Sequence, residues 1–284
     1  MPIRMTLPTH FSHEPHAQAR VFGHVQSLRR HRPPHHKFDF PTELVGTTAD
    51  NKATVYYDPH LGAPGKDLAE KVFAMAEKSF ADCQNYFGIP GQPVNVIIAA
   101  LDHATDGSAG AFHAGCSFNP GGDLYCDAAF GNPVMTNGLM IAELTECFMG
   151  AQNKGWDCGG SNGEALSRLL AELESGGPGG VLAGYATGPD WARAGRPNWI
   201  DANESTDLNP VSTGCGVVYL YWMMSKGHTA AKITQAGCPD GTLASNYEAL
   251  TGRTTAWSDF IAAVRALPHG VGSDNPWAAA ANVA

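Results

Sequence analysis

The chain has 284 residues, a length that predicts one large domain or two coupled domains. Apolar residues make up 43% of the sequence and charged residues only 16%, which excludes an intrinsically disordered chain and a coiled coil. The net charge of −9 argues against a protein that binds nucleic acid, and no apolar run is long enough to span a membrane.

Residues 1–50 are predicted to form an N-terminal arm. Residues 29–37 are basic and rich in His and Pro, and Pro interrupts regular structure. An extension along the surface is favoured over a weak metal or anion contact. The N-terminus has no apolar segment of the kind found in secretory signals, so we expect a cytoplasmic location.

Residues 51–176 are predicted to form a domain that combines strands and helices. A buried or half-buried strand is indicated by β-branched and aromatic residues, and an amphipathic helix by apolar residues at every third or fourth position. On these criteria the predicted strands are 53–57, 94–100, 109–118 and 123–128, with a turn at 119–122, and the predicted helices are 66–87, 139–149 and 162–174.

Residues 177–284 are predicted to form a helical subdomain, which follows a Gly-rich boundary at residues 175–180. Its predicted helices are 214–224, 230–236, 242–250 and 256–267. The predicted fold class is therefore α+β, with a small mixed sheet and its helices followed by a mostly helical C-terminal subdomain.

The sequence Ala142-Glu143-Leu144-Thr145-Glu146 carries the strongest chemical signal. On a helix, positions 142 and 146 lie one turn apart and 143 lies beside them, so the three side chains project to one side. Metallopeptidases place two metal ligands at such i and i+4 positions, and the residue between them meets the water bound to the metal. Glu164 follows eighteen residues after Glu146, on the next predicted helix.

This order of elements and motifs resembles the zincin metallopeptidases, over roughly residues 53–176. It is most similar to the gluzincin branch, whose signature is His-Glu-x-x-His followed by a distant Glu. The resemblance implies that Glu143 is the general base and that Glu146 and Glu164 are metal ligands. It also implies that His113, on the edge strand, borders the substrate cleft.

The match departs from that signature at two ligand positions, because Ala142 and Glu146 stand where the family has His. Alanine cannot bind a metal, and a set of carboxylates suits Ca²⁺, Mg²⁺ or Mn²⁺ better than Zn²⁺. A divalent metal of unspecified identity is the expected cofactor. Arg168, four residues after Glu164, could instead neutralise the carboxylates, and His113 is either a replacement ligand or a structural residue.

Two motifs near Glu164 have other interpretations. Ser161-x-x-Glu164 matches the capping box that begins many helices, which would give Glu164 a purely structural role. Residues 159–163 match the Gly-x-Ser-x-Gly motif of serine hydrolases, with Asp190 or Asp207 and His228 as partners, but no strand precedes Ser161 as that motif requires.

The seven cysteines leave several pairings open. Cys116 and Cys126 flank a predicted turn and could face each other across a hairpin, and Cys147 and Cys158 are the other near pair. Buried free thiols are the default expectation. Tyr219, on the apolar helix 214–224, is assigned either to the wall of a substrate cleft or to the core of the helical subdomain.

Two functions are consistent with these observations. The first is a peptidase-like hydrolase with a remodelled, carboxylate-rich metal site in a cleft between the subdomains, acting on a peptide or small molecule. The second is an inactive pseudo-peptidase that binds its partner without turnover. The missing ligand at Ala142 favours the second, whereas the presence of Glu143 favours the first.

Overall fold

A computed structural model describes residues 40–113, 115–118 and 123–278 of the chain, and its mixture of helices and strands confirms the predicted α+β class. Most of the predicted N-terminal arm and the predicted turn at 119–122 lie outside the described residues. Among those residues, every helix is too short or too polar to cross a bilayer.

The described strands form one mixed sheet in the order β1-β2-β3-β5-β4. β2, β3 and β5 run parallel, whereas β1 and β4 pair antiparallel with their neighbours at the two edges. The strand bounds are Glu43–Thr47 for β1, Ala53–Tyr57 for β2, Val94–Ala99 for β3, Ala111–His113 for β4 and Asp123–Asp127 for β5. The predicted mixed sheet is therefore present, with parallel strands at its centre.

The first strand lies within the stretch that the sequence assigned to the arm. β1 pairs with β2, and the Tyr57 hydroxyl donates a hydrogen bond to Glu43 at 2.8 Å. A paired strand is thus present before residue 51, within the stretch predicted to be an arm, and the division at residue 50 stays a prediction. No residue of β1 is fully buried, so its sequence lacks the apolar alternation that signals a strand.

The edge strand β4 is much shorter than the predicted strand at 109–118. Gly110 and Gly115 flank it with φ of 77° and 92°, in the left-handed region that extended strands do not use. The ladder with β5 is therefore limited to three residues, and His113 stands at the end of β4, opposite Leu124. His113 thus lies beside the helix at residues 133–152, against which β4 packs.

Three long helices complete the first part of the chain: α1 (Gly62–Phe87), α2 (Pro133–Gln152) and α3 (Ser161–Glu174). Asn132 caps α2 by accepting a hydrogen bond from the Met135 amide, and Pro133 occupies its first turn. α2 packs against α1, α3, β4 and β5. Its residues 136–149 are buried on every face, so polar side chains among them are held in fixed surroundings.

The C-terminal part of the described chain is helical, as predicted. It contains α4 (Gly188–Arg193), α5 (Pro210–Ser225), α6 (Ala230–Ala236), α7 (Leu243–Thr251) and α8 (Ala256–Arg265). α5 packs on α3, α6 packs on α1, and one hydrophobic cluster contains residues from both predicted subdomains. The core thus continues across residues 176 and 177. The division into two subdomains at that point stays a prediction.

Candidate functional site

The structure brings His113 into contact with both acidic residues of the α2 motif. His113 Nδ1 lies 2.8 Å from Glu143 Oε2 and 3.6 Å from Glu146 Oε2. Glu143 and Glu146 are at most 1% exposed and His113 is 4% exposed. The edge strand and α2 therefore build a closed polar site in which a ring nitrogen lies between two carboxylates.

Ala142 does not take part in this site. It is completely buried in the hydrophobic core formed by α2 and its neighbours. The position that a His ligand would occupy in the zincin motif is thus filled by a methyl group that packs among apolar side chains.

Glu164 reaches the same region from α3, and Arg168 pairs with it. The Nε and Nη2 atoms of Arg168 both lie 3.1 Å from Glu164 Oε1, as the i, i+4 spacing predicts, and its Nη1 donates to the carbonyl of Tyr185. Glu164 Oε2 is buried and has no hydrogen-bond partner among the described residues. One carboxylate oxygen of Glu164 is therefore engaged by the guanidinium, and the other is not.

The capping-box interpretation of Glu164 is wrong. α3 begins at Ser161, its N-cap residue Gly160 makes no side-chain cap, and the Asn162 amide in its first turn donates to Asn203 Oδ1 at 2.9 Å. The Ser161 hydroxyl instead bonds to Asn203 Oδ1 at 3.0 Å and accepts a hydrogen bond from the Glu204 amide. The serine-hydrolase interpretation also fails. Ser161 follows a loop and not a strand, and its hydroxyl is engaged by Asn203 and Glu204.

The three carboxyl groups have raised pKa values. Burial is the first cause for each, and the negative charge of Asp207 adds to it for Glu143, Glu146 and Glu164. Glu143 and Glu164 also raise the pKa of Glu146, whereas Arg168 lowers that of Glu164. Converging acids that are taken out of water must share protons or a cation, and this site has a surplus of acids over bases.

His113, Glu146 and Cys158 form a buried group that could hold a metal ion, since one ligand atom of each lies within 4.8 Å of the others. Glu164 is not a member of this group. The donor set therefore differs from the predicted pair Glu146 and Glu164, and it contains one nitrogen, one oxygen and one sulfur.

Cys158 is bonded to Cys116 in a disulfide, with the two Cα atoms 5.8 Å apart. The predicted pairings of Cys116 with Cys126 and of Cys147 with Cys158 are both wrong, because Cys126 and Cys147 are buried free thiols. Cys126 lies within β5, whereas Cys116 follows the short β4, past the paired part of the hairpin. Default burial as free thiols is correct for five of the seven cysteines and fails for this pair.

Tyr219 does not border the site. It is fully buried, its ring packs against Trp222 and Phe260 in the aromatic core of the helical part, and its hydroxyl lies 3.4 Å from Asn246. The assignment of Tyr219 to a substrate cleft is therefore wrong, and the alternative, a core residue of the helical part, is what the structure shows.

Two contributors were missed by sequence reasoning. Cys158 lies in the loop between α2 and α3, six residues before Glu164, and proximity to both helix ends was the only signal for it. Asp207 lies in the loop before α5 and was considered only as a serine-hydrolase partner. No spacing in the sequence links Asp207 to the motif, since its effect depends on how the loop folds back.

No known family model matches this sequence, and no curated protein matches it significantly. The geometry and chemistry of the site therefore carry the functional conclusion.

Proposed function

We propose that this protein is a metal-dependent, peptidase-like hydrolase with a remodelled zincin-type site. The observation that carries the proposal is the contact of His113, on an antiparallel edge strand, with Glu143 and Glu146, on the helix packed beneath that strand. The order β3, β4, β5, α2, α3, with Glu164 on α3, agrees with the order that the zincin resemblance implies. It supports the proposal at the level of architecture.

The residues of the site fit a divalent cation. His113 and Glu146 would hold it, with Glu164 close enough to Glu146 to raise its pKa. Glu143 Oε1 and Glu164 Oε2 are buried carboxylate oxygens with no hydrogen-bond partner among the described residues, and a cation would offset their cost. When bound, such an ion lowers the pKa of water and polarises a carbonyl group.

Glu143 has the geometry of a base that is held in place. Its Oε2 atom binds His113 Nδ1, a carboxylate–histidine contact that commonly fixes the orientation of a metal-binding imidazole. Its Oε1 atom would accept the proton of an attacking water. The same carboxyl group would then pass that proton to a leaving amine.

The alternative function, an inactive pseudo-peptidase that binds a ligand, is favoured by two observations. Ala142 supplies no ligand and packs in the core, and Arg168 already binds one oxygen of Glu164. In that case the shared protons of the acidic cluster, without an ion, would stabilise the site. In either case we propose a peptide or small molecule as the ligand and no nucleic acid, in keeping with the net charge of −9.

The cytoplasmic location expected from the sequence stays a prediction. The Cys116–Cys158 disulfide bears on it, because disulfides persist in oxidising compartments and in the cytoplasm are mostly transient or redox-sensing. A cytoplasmic location and this disulfide are compatible if the bond is reversible.

Metal content and Glu143→Gln together test the proposal. We expect the purified protein to take up a stoichiometric divalent ion, as measured by elemental analysis, and Glu146→Ala to lose it. With peptide mixtures as substrate, Glu143→Gln should lower the rate by at least about 100-fold, the usual contribution of a general base, with little change in melting temperature. The matched control is Glu248→Gln, the same change at an exposed position of α7.

The outcomes separate the two functions. Metal uptake without hydrolysis of any peptide would favour the binding protein. No metal uptake by the wild-type protein, oxidised or reduced, would contradict the proposed metal site.

A further inference from the structure

Cys158 belongs to two groups that exclude each other. Its sulfur lies within 4.8 Å of ligand atoms of His113 and Glu146, and it is also bonded to the sulfur of Cys116. The species that binds a metal ion is a thiolate, and a disulfide sulfur has no charge to offer. The donor set that the fold assembles is therefore complete only when the disulfide is reduced.

We propose that the Cys116–Cys158 disulfide is a redox switch for metal binding at His113, Glu146 and Cys158. This inference rests on the metal site of the proposed function and adds the condition under which that site is complete. Reduction by a dithiol adds two electrons and two protons to the S–S bond and gives two thiols, while the dithiol becomes a disulfide. The ion then replaces the proton of the Cys158 thiol, and that proton is released to solvent.

The donors indicate which class of ion responds to the switch. A buried set of one imidazole, one carboxylate and one thiolate suits Zn²⁺ and similar borderline ions, which form stable bonds to sulfur. Mg²⁺ and Ca²⁺ prefer oxygen ligands and gain little from a thiolate. The reduced protein should therefore select Zn²⁺, although the carboxylates alone suggest a harder ion.

The loop that carries Cys158 is held independently of the disulfide. The Asp157 amide donates to Asn162 Oδ1 at 3.0 Å, and Asn162 Nδ2 donates to the carbonyls of Gly155 and Gly241. A side chain at Gly163 would overlap the Asp157 carbonyl, so α3 packs directly on this loop. Cys158 should consequently keep its place beside His113 and Glu146 when the S–S bond is broken.

The two cysteines offer a matched pair of variants. Cys116→Ser and Cys158→Ser both remove the disulfide, but only Cys158→Ser also removes the proposed ligand. Zn²⁺ affinity would be measured by competition with a chromophoric chelator, with and without a phosphine reductant. The phosphine does not bind Zn²⁺ strongly, and it reduces the S–S bond while it is oxidised to the phosphine oxide with oxygen from water.

We expect the wild-type protein to bind Zn²⁺ at least about 10-fold more tightly after reduction, because losing a first ligand costs at least as much as losing its supporting residue. Cys116→Ser should bind as tightly as the reduced wild type with or without reductant. Cys158→Ser should bind weakly under both conditions. With Co²⁺ in place of Zn²⁺, a thiolate-to-cobalt absorption band should appear in Cys116→Ser and be absent from Cys158→Ser.

The result that overturns the switch is equal Zn²⁺ affinity in the oxidised and reduced wild type. Tight binding in both states would leave the proposed metal site in place and remove Cys158 from it. No binding in either state would contradict the metal site itself. Should Cys158→Ser fail to fold, the comparison of oxidised and reduced wild type still decides the question.

Discussion

At the scale of single residues, the Glu164–Arg168 pair is the clearest case of a charge held inside the fold. Glu164 is 1% exposed and Arg168 is 8% exposed, and the guanidinium contacts both Glu164 and the Tyr185 carbonyl. A buried acid that loses its partner must stay protonated or remain as an uncompensated charge, and both are unfavourable.

We therefore predict that Arg168→Met lowers the free energy of unfolding by about 3 kcal/mol, as expected for breaking a buried ion pair. Urea denaturation at neutral pH would measure it. The double variant Glu164→Gln/Arg168→Met should lose less than the sum of the two single variants, because each single change leaves a partner unpaired. A loss below about 0.5 kcal/mol for Arg168→Met would mean that the pair behaves like a surface ion pair.

The sequence predicted those contacts of the site that lie within one helix and missed those that join separate elements. Glu143 with Glu146, and Glu164 with Arg168, share a helix face, and helix periodicity alone places them together. The contact of His113 with α2 depends on where β4 packs, so spacing could not distinguish a ligand from a structural histidine. For Tyr219 the sequence left open a cleft wall and a core position. The structure shows the core position, which is the usual one for an aromatic residue on an apolar helix.

At the scale of elements, the end of α2 determines how closely the Cys116 segment approaches. The sequence predicted that the helix would end at residue 149, before Gly150, but α2 continues to Gln152 and ends with Asn153 in the left-handed conformation. A side chain at Gly150 would overlap the carbonyl group of Cys116. Glycine is therefore required inside this helix by packing, although it usually indicates a helix end.

Gly150→Ala should consequently destabilise the protein by about 1 kcal/mol, the low end for overpacking because Gly150 itself is exposed, despite the higher helix propensity of alanine. The melting temperature and a urea titration would show the loss, and thiol titration should detect a more easily reduced Cys116–Cys158 bond. Gly184→Ala is the control, because a side chain at Gly184 meets no atom within 4 Å. Equal stability of Gly150→Ala and the wild type would refute the close approach.

The strands were predicted unevenly for a related physical reason. β2 and β3 are largely buried, and their β-branched and aromatic residues identified them. β1 has no fully buried residue, and β4 is flanked by two glycines with positive φ. Neither sequence therefore shows the residue pattern of a long strand. β1 carries little of the core, and β4, although buried, has only three residues, so the sequence holds little information about the length of either edge strand.

At the scale of the whole molecule, a second buried acidic cluster joins distant parts of the chain. The Tyr221 hydroxyl, on α5, donates to Glu172 of α3 at 2.7 Å. Asp274, near the C-terminal end of the described chain, accepts hydrogen bonds from the Thr187 and Gly188 amides and interacts with Glu172. This cluster links the two predicted subdomains through polar contacts within their shared core.

Glu172 should make the stability of the whole fold depend on pH. Burial first, and then the charge of Asp274, raise the pKa of Glu172 from its ordinary value of 4.5 to about 8 in the folded protein. Between these values the folded state holds a proton that the unfolded state has released. The free energy of unfolding therefore falls as pH rises through this window, and the loss is complete above the folded pKa.

We predict that Glu172→Gln weakens this pH dependence. Glutamine cannot titrate, so the drop in the free energy of unfolding between about pH 5 and pH 9 should be smaller than in the wild type, by on the order of 2 kcal/mol. Urea denaturation across that range measures it, with Glu248→Gln on the surface as the control. Glu143, Glu146 and Glu164 contribute a drop of the same sign in both proteins, so the difference reports Glu172 together with Asp274, whose pKa is coupled to it. Identical pH profiles would mean that Glu172 is ionised in the folded state at neutral pH and that Tyr221 and Arg168 compensate its charge.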